Sequence, residues 1–141
     1  MSPETNIATV RRMINEVYNK RRLDLIEEFF SADIVQHIVG NPLFTGLDAL
    51  RQNVAMGLNG FPDFRLTVED EIAAGDKVAA RWTMTGTQKG EAFGVPATGK
   101  QVTHSGMTFY RLSNTKIAEL WFLADNLGMM QQLGVIPQGA G

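Results

Sequence analysis

The chain has 141 residues, 44% hydrophobic and 20% charged, which is the composition of one compact domain over residues 1–141 and argues against disorder. Its net charge is −2 and its longest basic run is Lys20-Arg21-Arg22, which argues against nucleic acid or an anionic membrane surface as a main partner. It contains no cysteine, which excludes disulfides, zinc–thiolate sites and cysteine nucleophiles.

The first part of the chain is predicted to be mainly helical. Ser2-Pro3 is typical of a helix start, and apolar residues then recur at spacings of three and four up to Tyr18. A short helix over residues 23–30, a strand over 34–39 and a third helix over 46–58 are predicted to follow.

After Phe61-Pro62 the period of the apolar residues changes from 3.6 to 2, which indicates strands. The elements predicted there are strands over 64–69, 78–85, 100–112 and 117–123, a glycine-rich loop over 86–99, a helical turn over 129–133 and a tail over 139–141. Helices followed by a strand meander predict an α+β fold. We expect the N-terminal helices to pack against one curved antiparallel sheet and to leave a conical cavity.

The sequence also gives an expectation about location. No stretch approaches about 18 apolar residues, so neither a membrane span nor a membrane partner is expected. The first eight residues lack a basic segment followed by an apolar stretch, which is the pattern of a signal peptide. A cytoplasmic location is therefore expected.

Several motifs follow one another in a single register. They are FPDFRLTVED (61–70), GDKVAARWTMTGT (75–87), GVPATGK (94–100), FYRL (109–112), KIAELW (116–121) and QLG (132–134). Together they resemble the SnoaL-like polyketide cyclase family of the nuclear transport factor 2-like superfamily. Residues 7–13, IATVRRM, also fit the first helix of that family, so the resemblance covers nearly the whole chain.

The resemblance implies a conical α+β barrel with a mostly apolar pocket, assembled as a homodimer through the sheet. Enzymes of the family close a ring in a polyketide ester by an intramolecular aldol reaction. An aspartate acts as acid and base, without a metal or an organic cofactor. The implied partner is a hydrophobic small molecule, and no cofactor is expected.

Aligned on this pattern, the chain departs from the cyclases at the catalytic position. The cyclase aspartate falls on Phe122, whose side chain cannot transfer a proton. The pocket histidine of the cyclase falls on Thr108, its pocket asparagine on Gln36, and a histidine common in relatives on Gln88. The remaining carboxylate is Asp125, at a position where many members also carry an aspartate.

Two interpretations of Asp125 are open. An aspartate before Asn126 can cap the terminal helix by accepting backbone N–H bonds, which would keep it charged and make it a poor base. Alternatively, the apolar run over residues 121–124 could desolvate the carboxylate and favour a role as general base.

His104 is a second catalytic candidate, and its direction depends on the strand register. A turn of three residues, 114–116, would pair Thr108 with Phe122 and place His104 on the Phe122 face. A turn of two residues would point His104 the other way, because a one-residue slip exchanges the two faces. The pocket positions of the family require the longer turn. The alternative is a half-buried histidine bonded to a neighbouring carbonyl.

His37 is the third catalytic candidate, and its neighbour Gln36 is the predicted polar anchor for the substrate. Successive strand residues face opposite sides, so at most one of the two points directly into the pocket. The alternative for both is hydrogen bonding to the turn after the strand. The predicted substrate-binding set is completed by Trp82, Met107, Thr108 and Phe122, and no metal ligand is predicted.

Three functions are open. The first is an enzyme of cofactor-free acid/base chemistry, a polyketide-type aldol ring closure or a related isomerisation, with Asp125 as base and His104 or His37 as proton donor. The second is a hydrophobic-ligand-binding protein, or a hydroxylase- or hydrolase-like relative, which Phe122 favours. The third is a structural module that dimerises through the sheet and has a filled cone.

Overall fold

The computed structural model describes residues 2–137, and the predicted tail over 139–141 lies outside them. The first helix begins as predicted, with Ser2 Oγ accepting a hydrogen bond from the Thr5 N–H. No helix within 2–137 is long and apolar enough to cross a membrane. The elements in chain order are α1 (Pro3–Met13), a π-helical extension (Ile14–Asn19), a 3₁₀ turn (Leu23–Leu25), α2 (Ile26–Phe29), β1 (Phe30–Ile38), β2 (Phe44–Thr45), α3 (Leu47–Gly60), β3 (Arg65–Ala74), β4 (Lys77–Thr87), β5 (Gln101–Ser113), β6 (Lys116–Ala124) and α4 (Asn126–Gln132).

Within the described residues the strands form one six-stranded sheet in the order β2-β1-β6-β5-β4-β3. The α+β class is confirmed, with N-terminal helices packed on one face of the sheet. The prediction of a wholly antiparallel sheet is wrong for one pair, because β1 and β6 run parallel. Parallel neighbours need a long crossover, and the chain between them supplies it with α3 and the four strands β2 to β5.

Strand β1 begins at Phe30, earlier than the predicted strand over 34–39. Its pairing with β6 is irregular between Phe30 and Val35, and Phe30 and Ile34, four residues apart, are both buried. The two-residue strand β2 was not predicted, because two residues are too few to show an alternation.

The register of β5 against β6 is the predicted one, but it arises differently. Thr108 pairs with Phe122, while the turn contains only Asn114 and Thr115, both with positive φ. The shift comes from a bulge, because Leu112 pairs with Ile117 and Arg111 with Glu119. The extra residue, Ala118, shifts the pairing of the two strands by one position, as a turn of three residues would have done.

The concave face of the sheet carries two buried clusters. The inner cluster lies under α1 and α3 and includes Val10, Met13, Val17, Leu50, Val54, Val78, Tyr110 and Leu112. The outer cluster lies under the loop after β4 and under α4, and it consists of Phe61, Trp82, Met84, Val102, Met129 and Leu133. Of the predicted site residues, Trp82 belongs to this outer cluster and Phe122 packs against it.

Candidate active site

Three neighbouring strands bring aromatic and polar side chains together at the outer end of the sheet. Trp82 Nε1 donates a hydrogen bond of 3.0 Å to Thr108 Oγ1. The Trp82 indole stacks on the Phe122 ring, with ring centres 5.4 Å apart. Gly106, opposite Trp82, makes room for the indole, because a Cβ there would lie 2.6 Å from an indole carbon. Phe122 is therefore part of an aromatic wall, at the position where the resemblance places the cyclase aspartate.

His104 is the buried titratable group of this end, with only 6% of its surface exposed. Trp82 and Phe93 both approach the imidazole edge-on, with ring centres 5.7 and 5.8 Å away. Burial lowers the pKa of His104, while the Asn126 side chain and the charge of Asp125 oppose the shift. Its Nε2 atom is buried and has no partner with hydrogen-bond geometry within residues 2–137.

Asp125 lies near His104 because strand β6 ends opposite Gly106 and helix α4 begins immediately afterwards. Its Oδ1 accepts a hydrogen bond of 2.9 Å from the Gly128 N–H, so the carboxylate caps α4. A Cβ at position 128 would collide with the carboxylate in this position, so the Asp125 side chain would have to move to admit another residue. The side chain is otherwise exposed to solvent. The geometry of the cap is thus present, and the Asp125 charge is near enough to act on His104.

Gln36 faces the same concave side but lies deeper, level with Leu120 on β6. It is 3% exposed and its Nε2 has no hydrogen-bond partner within the described chain. Its Oε1 makes one long hydrogen bond of 3.5 Å with Asn53. Gln36 is therefore a buried amide with an unused donor, two rows below the pair formed by Thr108 and Phe122.

His37 points to the opposite, outer face of the sheet. Its imidazole stacks on Trp121 at 5.1 Å with nearly parallel planes, and its Nε2 lies 2.7 Å from Glu119 Oε2. Met107 is on the outer face too and is 59% exposed. The structure brings His104, Asp125, Trp82, Thr108 and Phe122 together, but it separates His37 and Met107 from them by the thickness of the sheet.

Two residues of this site were not predicted from the sequence. Phe93 covers His104 from the loop after β4, and Asn126 touches it from the start of α4. Asn126 follows Asp125 directly, so the Asp-Asn pair was an available signal. Gln88, predicted only as a substitute for a histidine, is completely buried and holds the same loop through Val95 and Thr98.

Side chains pack together at the outer end of the sheet. Phe122, Ala92 and Val95 lie against the outer cluster. Two open depressions of about 350 and 510 Å³ lie elsewhere on the surface, one between α1 and β3 and the other beside the β5–β6 turn. Neither is lined by a predicted site residue. His104 itself is only slightly exposed, and the Phe93 ring lies beside it.

Known proteins resemble this chain over nearly its whole length. The model of the SnoaL-like polyketide cyclase family matches residues 8–133. Aklanonic acid methyl ester cyclase DnrD of Streptomyces peucetius is 29% identical over 133 residues, which cover 92% of this chain and 91% of the relative.

Solved structures agree with this. A protein of Jannaschia sp. CCS1 assigned as a SnoaL-like polyketide cyclase superposes with a TM-score of 0.88 at 26% identity, over 97% of this chain and 98% of the other. AclR of Streptomyces galilaeus, assigned as a hydroxylase, superposes with a TM-score of 0.86 at 30% identity, over 98% and 86%. The chain belongs to the SnoaL-like polyketide cyclase family.

Proposed function

We propose that the protein catalyses cofactor-free proton transfer on an apolar, carbonyl-bearing compound of polyketide type, with His104 as the acid/base group. The observation that carries the proposal is the buried His104 Nε2, which lies in an aromatic environment and has no hydrogen-bond partner among residues 2–137. A buried polar atom of this kind is costly in a fold unless a ligand uses it.

The lowered pKa keeps His104 neutral at neutral pH, and a neutral imidazole can accept a proton. In an aldol ring closure, His104 removes a proton from the carbon beside one carbonyl group. The resulting enolate carbon forms a bond to a second carbonyl carbon of the same molecule. The imidazolium then returns its proton to the alkoxide oxygen. The sum is an isomerisation in which no atom or electron is gained or lost.

Asp125 takes a supporting role in this proposal. It holds the end of α4 through its cap, and its negative charge favours the imidazolium that forms during the reaction. Phe122 and Trp82 supply the apolar wall against which a hydrophobic substrate packs. Gln36, with its unused amide donor, is suited to bind a carbonyl oxygen at the deep end.

The relatives support a substrate of the polyketide class. DnrD is a cyclase that acts on aklanonic acid methyl ester, and AclR is assigned as a hydroxylase. The two relatives are named for different chemistry. The proposal of proton transfer therefore rests on the position of His104 and not on family membership alone.

Hydrogen–deuterium exchange on a simple ketone tests the proposal without knowledge of the natural substrate. Tetralone in D₂O exchanges the protons beside its carbonyl group, and mass spectrometry follows the exchange. We expect the protein to accelerate this exchange, His104→Gln to remove the acceleration, and His37→Gln to retain it. Acceleration that survives in His104→Gln would refute the role of His104.

A second function is favoured by a different observation. Phe122 stacks on Trp82 where the cyclases carry an acid, and side chains close the outer end. A protein that only stores or carries a hydrophobic ligand needs no acid at this place. It would bind tetralone, detected by the quenching of tryptophan fluorescence, without accelerating deuterium exchange.

We further propose that the protein forms a homodimer through the outer face of the sheet. This face exposes Met107, Phe109 and Leu123, and it also carries the stacked pair of His37 and Trp121. Side chains of this kind are common at the cores of interfaces and are unusual as a group on a monomer surface.

A further inference from the structure

Phe93 occupies an unusual backbone position in the loop after β4. It forms a two-residue turn with Gly94, closed by hydrogen bonds between Ala92 and Val95 in both directions. Both central residues have positive φ, 55° for Phe93 and 73° for Gly94. Turns of this kind prefer asparagine or aspartate followed by glycine, and a bulky residue at positive φ is disfavoured. The turn therefore holds a phenylalanine where the backbone favours a small polar residue.

The turn is firmly attached on both sides of Phe93. Gln88 Nε2 donates a hydrogen bond to the Val95 carbonyl, and Gln88 Oε1 accepts from Thr98 N–H and Oγ1. Ala92 and Val95 pack against the outer cluster. The Phe93 side chain is nevertheless 45% exposed, and its ring lies edge-on to His104 at an interplanar angle of 85°. The backbone of the turn is thus held by hydrogen bonds, whereas the ring of Phe93 is only partly covered.

The geometry points to an aromatic subsite beside His104 that Phe93 fills in the free protein and that a planar aromatic ring of the ligand fills in its place. The inference rests on the proposed function and adds to it a binding position and a residue that competes for it. A ligand ring that displaces Phe93 regains the edge contact with the imidazole, whereas a saturated ring does not. The same displacement exposes the unpartnered His104 Nε2 to the ligand.

The decisive variant is Phe93→Asn, with Phe109→Asn as its matched control. Asparagine suits the positive φ of the turn, so the loop is expected to keep its conformation without the covering ring. Phe109 has a similar exposure, 54%, but lies on the outer face of the sheet. The control thus removes an equally exposed ring from the other side.

The cover is tested first without any ligand. Diethyl pyrocarbonate modifies accessible histidines, and digestion followed by mass spectrometry separates the peptide of His104 from that of His37. We expect Phe93→Asn to increase the rate at His104 several-fold over the wild type, and Phe109→Asn to leave it unchanged. An unchanged rate at His104 in Phe93→Asn would show that Phe93 is not its cover and would overturn the inference.

Binding then tests the subsite, with acetylnaphthalene and its saturated analogue acetyldecalin as probes in isothermal titration. We expect Phe93→Asn to lower the Kd for acetylnaphthalene about 2- to 10-fold, because the ligand no longer displaces a ring. Wild type and variant should both prefer acetylnaphthalene, although acetyldecalin is the more hydrophobic probe. A higher Kd in Phe93→Asn would make Phe93 a wall of the site, and equal Kd values for the two probes would remove the aromatic preference; either result overturns the inference. One result separates the two proposals. If Phe93→Asn exposes His104 to modification but the wild-type protein binds neither probe, Phe93 is a cover of His104 and the result counts against the proposed function.

Discussion

Asp125 offers the sharpest single test, because replacement by asparagine and by alanine separates its two roles. Asparagine is as good an N-cap as aspartate but carries no charge, so Asp125→Asn should change the free energy of unfolding by less than about 0.5 kcal/mol. Alanine also removes the oxygen that accepts the Gly128 N–H bond at 2.9 Å. The loss of an N-cap costs about 1 kcal/mol, which corresponds to a melting temperature lower by about 2–4 °C for a chain near this size.

The two variants also differ in what they predict for activity. If Asp125 only stabilises the His104 imidazolium, Asp125→Asn should slow deuterium exchange on tetralone by about tenfold or less, since the carboxylate is exposed to solvent. If Asp125 is the general base, the same change should cost about 10²–10⁴-fold. A loss of that size with an unchanged melting temperature would refute the assignment of the base to His104 and restore Asp125 as the catalytic group.

Three further predictions follow from burial, close contact and surface exposure. Burial lowers the pKa of His104 below its ordinary value of 6.5, so as the pH drops the unfolded chain binds this proton before the folded chain does. The free energy of unfolding should therefore fall as the pH drops below about 6.5. His104→Gln should flatten this part of a plot of unfolding free energy against pH. Gly106→Ala should lower the free energy of unfolding by about 1–3 kcal/mol, because its Cβ would lie 2.5 Å from the Leu123 carbonyl oxygen and 2.6 Å from Trp82. Gly57→Ala should raise it, because Gly57 is within helix α3 and an added Cβ there meets no other atom. Urea denaturation of the two variants compares them directly. Met107→Lys should convert the proposed homodimer to a monomer in sedimentation velocity, while Val39→Lys, at an equally exposed position outside the strands, should not; a monomeric wild type would contradict the proposed interface.

The period of the apolar residues predicted the faces of the long strands correctly. Trp82 and Met84 alternate with exposed neighbours on β4, and their burial follows directly from that pattern. Predicting which face His104 points to also required the register of β5 against β6. The local sequence carries little information about that register. The family's pocket pattern supplied Thr108 opposite Phe122, but the bulge at position 118 that produces this pairing has no sequence signature of its own.

The positions of His37 and Phe93 show what the pattern could not give. His37 follows Gln36 in a strand, and one of the two had to face away from the cone, but only the parallel pairing with β6 decides which. Phe93 lies in a loop whose path depends on hydrogen bonds from Gln88, a completely buried residue. Loop residues have no periodicity, so side-chain contacts of this kind, which no pattern announces, fix their path.

The presence of Phe122 where the cyclases carry an acid has a consequence for His104. A carboxylate at position 122 would lie against the Trp82 indole, in the place where Phe122 now stacks at 5.4 Å. An ionised group there would compete for Thr108 and draw water into the outer end of the sheet. With phenylalanine in that position the wall stays apolar, and His104 lies on the same concave face, near the edge where β6 gives way to α4. Burial keeps this imidazole neutral while Asp125 favours its charged form, a balance that a base needs in order to take up a proton and release it again.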